Sequence, residues 1–203
     1  VRVPYGVAAF VLPWNFPLLL IGWNLSPALA AGNTVVVKPA EVTPLLALEL
    51  GRICEQAGVP KAVVSVLPGK GALIGEAIVK HPLVKKVSFT GGTTTGRALA
   101  RLAAEKLMPV SLELGGKSPT IVCADADLDH AVNGVLFGIF SSSGESCIAG
   151  ARLFVHESVR TQFLERLKQT AVVAMVQPDR RLIQHVEDAS QLRPDLRRQP
   201  DAL

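Results

Sequence analysis

Cys147 stands in the run SSSGESCIAG (141–150), a thiol among small residues near an expected helix start. Thiolate is favoured at such a start, where the helix dipole stabilises negative charge, and the thiolate is the nucleophilic form. The alternative is a packed core thiol, which is also the reading for Cys54 in its helix and Cys123 at a strand edge. None of the four histidines, His81, His130, His156 and His185, is close in sequence to Cys147. A Cys–His hydrolase therefore depends on the fold rather than on spacing. Glu113 lies within the apolar stretch Leu112–Leu114 of LELGGK. An acid there is either solvated at a sheet edge or partly buried, and burial would raise its pKa toward that of a useful base. Asn15 sits in PWNFP between two prolines. Such a rigid loop serves as an Asx turn or holds an amide N–H toward a developing oxyanion.

A second set of residues could grip a ligand. Lys38 and Glu41 form the run KPAE directly after a β-branched stretch. A lysine there is commonly a solvated loop charge, but at the carboxyl end of a parallel strand it could reach an adenosine ribose or phosphate. Glu41 could accept both ribose hydroxyls and would repel a 2′-phosphate. Gly91, Gly92 and Gly96 belong to FTGGTTTG, again between an expected strand and an expected helix. Glycines there allow an anion close to the backbone at a helix start, or they serve only as a turn.

The elements that must position these residues alternate along the chain. The sequence predicts strands over 7–12, 34–37, 63–67, 84–89 and 110–114. Helices are predicted over 45–57, 72–79 and 93–107. Thr43 and Pro44 are placed as a cap and first helical residue, with Gly58 as the stop. The strands are near-continuous apolar runs, as a parallel sheet covered on both faces requires. A doubly wound α/β fold follows, with ligands beyond the carboxyl ends of its strands. Past Gly116 a brief strand at 121–122, a helix over 128–140, a small-residue joint at 141–144, a strand over 152–156 and a helix from 159 to about 173 mark a second domain. The expected division is 1–116, 117–173 and a divergent tail over 174–203.

Composition narrows the partners. The chain is 49% hydrophobic, too apolar for a disordered linker, yet its greasiest stretch is broken by Pro13, Asn15 and Pro17. No membrane partner is expected. The net charge of +4 is dispersed and aromatics are 5%, unlike the clustered cations and stacking platforms of nucleic-acid surfaces. Three widely spaced cysteines suit free thiols in a reducing, cytoplasmic compartment rather than a disulfide scaffold.

PWNFP, KPAE, FTGGTTTGR, LELGGKSP and GESCIAG, in this order over residues 1 to about 170, resemble the aldehyde dehydrogenase superfamily. The resemblance implies a partial Rossmann-like dinucleotide-binding domain followed by the start of an α/β catalytic domain. It implies that Cys147 attacks an aldehyde and that Asn15 and the Cys147 amide hold the oxyanion. Glu113 would then activate the water that hydrolyses the thioester. It also implies that Lys38 and Glu41 grip the adenosine ribose of NAD, with NADP disfavoured, and that Gly91, Gly92 and Gly96 lie near the pyrophosphate. The partner is then a small-molecule aldehyde, and the full-length family member a homo-oligomer.

The departures from that pattern set the alternatives. Glu145 stands where the family commonly has Gln, and Gly92 where it often has Ser. Family members are more than twice this length, and the chain starts at Val1 rather than Met, so an internal fragment is expected. One alternative is a catalytically silent dinucleotide-binding or assembly module. Another is a thiol ester hydrolase that needs no cofactor.

Overall fold

The computed structural model describes residues 3–175, with side chains to residue 171. The expected tail lies, past Met175, outside the described residues. The chain divides into two compact units, with the division between Gly115 and Gly116.

The first unit is a five-stranded parallel sheet. Its strands in chain order are β1 (Val7–Val11), β2 (Thr34–Lys38), β3 (Val64–Val66), β4 (Val84–Gly91) and β5 (Val110–Leu114). In space they run β3-β2-β1-β4-β5. The chain winds outward from β1 through β2 to β3, then returns to the other side of β1 for β4 and β5. The strand order therefore reverses between β1 and β4, the crevice where open α/β sheets bind ligands.

Both faces of β1 are covered, which explains its unbroken apolar sequence. Ala8, Phe10 and Leu12 pack with Val35 and Val37 against Leu20, Ile21 and Leu25 of α1 (Pro17–Ala30) and Ala47 of α2 (Leu45–Gln56). Ala9 and Val11 pack on the opposite face with Val87 and Phe89. Ile78 and Val79 of α3 (Gly71–Lys80) and Leu99 and Ala103 of α4 (Thr93–Ala104) cover them. Lys106 ties the end of α3 to the sheet, its Nζ donating to the carbonyls of Val79 at 2.9 Å, His81 at 2.7 Å and Val84 at 3.2 Å.

Several boundaries differ from those the sequence predicts. Helix α1 is not among the predicted elements, and it carries two prolines, Pro17 and Pro27. Pro17 occupies the first turn, where a missing N–H costs no hydrogen bond. Pro27 leaves only the carbonyl of Trp23 without its helical donor, on a residue that is 68% exposed. At α2 it is Pro44 that takes the cap position, without a side-chain cap bond, and the Thr43 hydroxyl is buried with no partner. Gly58 does adopt a left-handed φ of 88° just past that helix. Helix α4 ends at Ala104 rather than 107, and β4 runs on through Gly91.

In the second unit β6 (Pro119–Val122) pairs in parallel with β7 (Arg152–Val155). Helices α5 (Leu128–Phe140) and α6 (Arg160–Met175) close a core of Val122, Val132, Val135 and Phe163. The Asp127 carboxylate starts α5 by accepting the amides of Asp129 and His130, each at 3.0 Å.

Candidate functional site

The carboxyl edge of the first sheet collects most of the predicted site residues. Asn15, half-buried, follows β1 on the loop into α1. Lys38 is the last residue of β2, in register with Val11 of β1, rather than the first of a loop. Thr90, 8% exposed, and Gly91 end β4, and Gly92 is the residue from which α4 starts. Asn15 and Gly91–Gly92 thus flank the crevice between β1 and β4.

Lys38 is only 4% exposed, not the solvated charge of the simpler reading. Its Nζ donates to the Pro39 carbonyl at 2.9 Å. Burial pulls its pKa below the ordinary 10.5, and the neighbouring Glu41 carboxylate offsets part of that. Glu41 is exposed, and its Oε1 accepts the amide of Gly71 at 2.6 Å. Gly71 begins α3, so a carboxylate meets the positive end of a helix dipole. A Cβ on Gly71 would lie 3.6 Å from Lys38 Nζ and 3.7 Å from Glu41 Oε1. Gly71 was missed in the sequence. The signal available is the PGKG joint (68–71) between β3 and α3, a glycine at a strand-to-helix junction.

The loop glycines separate into two roles. A Cβ on Gly96 would fall 2.6 Å from Leu114 Cδ2 and 3.3 Å from Phe89 Cε1, so a side chain at this buried position would have to displace the Leu114 tip and press on Phe89. Gly91 is crowded in the same way, its Cβ position 2.7 Å from Phe89 Cζ. Gly96 therefore has a packing reason for its identity, while Gly92 is the N-cap of α4 in an extended conformation.

Glu113 is on β5, in register with Thr90. The strand is at the sheet edge and the residue is exposed, so the partial burial the sequence allowed is not found. Cys147 belongs to the second unit. No helix starts there, contrary to the sequence expectation: a short 3-10 turn, Ser141–Gly144, precedes it, and Cys147–Ile148 form a turn of their own. The thiol is half-buried. Ser142 and Ser143 take left-handed φ values of 51° and 58°, unusual for residues with a Cβ. Ala149 N donates to Ser146 O at 3.1 Å and Gly150 N to Gly138 O at 3.2 Å, holding the Cys147 turn against the end of α5. Cys54, on α2 itself, packs half-buried against the core of the first unit, whereas Cys123 is exposed and is not a core thiol.

Among the described residues no cluster of His, Cys, Asp or Glu is arranged to hold a metal ion, and no helix is long and apolar enough to cross a membrane.

Comparison with known proteins gives these residues a context. The chain is 51% identical over 166 residues to phenylacetaldehyde dehydrogenase of Pseudomonas fluorescens, covering 82% of this chain and 33% of that protein. The solved NAD+ complex of aldehyde dehydrogenase from Bacillus cereus superposes with a TM-score of 0.81 at 45% identity, covering 84% of this chain and 35% of that one. The structure of an Escherichia coli NADP-dependent enzyme matches equally well, with a TM-score of 0.81 and 45% identity over 84% of this chain and 35% of that one. The chain thus spans about a third of the length of these proteins. The model of the aldehyde dehydrogenase family matches residues 1–185, and the chain belongs to that family.

Proposed function

We propose that this chain carries the cofactor-binding edge and the nucleophile of an NAD-dependent enzyme that oxidises an aldehyde to a carboxylic acid. The observation that carries the reading is the Lys38–Glu41–Gly71 cluster at the carboxyl edge of the sheet. There a buried cation and an oriented carboxylate offer a donor and an acceptor suited to a dinucleotide's ribose. The residues present fit such a group: a carboxylate accepts hydroxyl hydrogens, a lysine donates, and Gly92 with the start of α4 suits a pyrophosphate. Gly91 and Gly96 keep that loop tight against Phe89.

In this reading Cys147 attacks the aldehyde carbon as thiolate, giving a thiohemiacetal. The Asn15 amide and the Cys147 N–H donate to its oxyanion. When bound, NAD supplies the acceptor for the hydrogen and electron pair that leave this carbon. Glu113 then takes a proton from water as the oxygen attacks the resulting thioester, the acid leaves, and the Cys147 thiolate is regenerated. A cytoplasmic site of action and assembly into a homo-oligomer belong to the same proposal for the whole protein.

Glu41 tests the cofactor assignment. A carboxylate bonded to vicinal hydroxyls faces the extra phosphate of NADP, so titration should show NAD bound more tightly than NADP. Glu41→Gln should narrow the ratio of the two dissociation constants. An unchanged ratio removes Glu41 from the role.

A further inference from the structure

We propose that Gly116 is a positioning residue for Cys147, required to have no side chain because the Cys147 backbone occupies the place a Cβ would take. A Cβ built on Gly116 would lie 2.9 Å from the Cys147 carbonyl oxygen, closer than real Cβ atoms come. The obstacle is backbone, which cannot swing aside as a side-chain tip does. The backbone of Gly116 needs no left-handed conformation, so close approach alone accounts for the glycine.

The surrounding contacts leave the Cys147 turn little room to retreat. Gly116 leads into β6, and Arg152 of β7 fastens the same stretch, its Nε donating to the Lys117 carbonyl at 2.8 Å. Arg152 N also donates to Ser118 O at 3.2 Å. On the far side of Cys147, a Cβ on Gly150 would strike the Thr120 hydroxyl. Residues 116–120 and 147–152 therefore lie backbone against backbone, and the left-handed Ser142–Ser143 pair fixes the approach from α5. A methyl at Gly116 must push the Cys147–Ile148 peptide away, and the residue that carries the thiol moves with it. The neighbouring Gly115 provides the contrast, since a Cβ there meets nothing within 4 Å.

The consequence for reactivity rests on Cys147 being the nucleophile, whereas the contact does not, and the test separates the two. Gly116→Ala and Gly115→Ala are compared with the parent chain by amide hydrogen exchange over 146–150 and by mass-spectrometric alkylation rates of all three cysteines against pH. Gly116→Ala should accelerate exchange over 146–150. It should also slow Cys147 alkylation about tenfold, because the displaced turn carries the thiol away from the setting that favours its reaction. Cys54 and Cys123 should keep their parent rates, and Gly115→Ala should change nothing. Unchanged exchange in Gly116→Ala overturns the inference, as does an equal effect from Gly115→Ala. Faster exchange with an unaltered Cys147 alkylation rate also overturns it, leaving Gly116 a merely structural residue. A parent chain in which Cys147 has no excess reactivity sinks the nucleophile reading, while the exchange data still judge the contact.

Discussion

A lysine ammonium held at the end of a buried strand is costly, and the residue alone does not reveal it. In sequence Lys38 reads as a loop charge. Only the register of β2 beside β1, with Lys38 opposite Val11, puts it under cover. Its lowered pKa sets a sign for stability. Below the folded-state pKa both states are protonated and the folded protein bears the full cost of the buried charge. As pH rises from there through the ordinary 10.5, the unfolded chain holds a proton the folded one has released, and stability climbs. Lys38→Met should therefore be more stable than the parent to urea at neutral pH, with the gain shrinking toward pH 10.5, while binding NAD more weakly. A gain that does not vary with pH, or a loss of stability at neutral pH, contradicts the assignment of burial as the dominant cause.

At the scale of elements, the strands were the most legible part. Val110–Leu114 and the helix Leu128–Phe140 have the boundaries their apolar patterns predict. What the pattern did not carry was spatial order. Apolar runs announce that a strand is buried on both faces, but not that β4 lies beside β1, and that adjacency is what puts Asn15 and Gly92 at one crevice. Helix α1 is hidden in the sequence because Pro17 and Pro27 mask its helical pattern, although Pro17 sits in the first turn where proline is tolerated. The exposure of Glu113 was equally illegible, since LEL reads the same on a central strand as on an edge. In the second unit Phe163 is the largest wholly buried side chain and fills the core beneath β6 and α5. Phe163→Ala should cost about 3–5 kcal/mol, the usual penalty for emptying such a site. Chemical denaturation measures it, and a loss below about 1 kcal/mol would mean the second unit is not packed as described.

The molecule as a whole carries signs of a surface meant to be covered. Trp23 is 68% exposed and Phe137 76% exposed. A cavity of about 580 Å³, lined by Val7, Val36, Leu73, Ile74, Ile78 and Val84, opens on the first unit. The chain spans about a third of its relatives, and Glu113 stands exposed on an edge strand. The 203-residue chain should accordingly self-associate, bind NAD weakly, and form no NADH from aldehyde above a Cys147→Ala control. Turnover by a monodisperse sample that disappears in that control would show that the chain builds a complete site by itself.

The nucleophile assignment has a more direct test, because the three thiols differ in exposure. If access alone governed reactivity, Cys123, which is exposed, would alkylate before the half-buried Cys54 and Cys147. Reactivity instead follows thiolate character where a site activates the sulfur. Residue-resolved alkylation rates, measured by mass spectrometry on the intact chain across a range of pH, should place Cys147 first throughout, ahead of Cys123 and Cys54. Rates ranked by exposure, with Cys123 fastest and Cys147 no different from Cys54, would contradict the account.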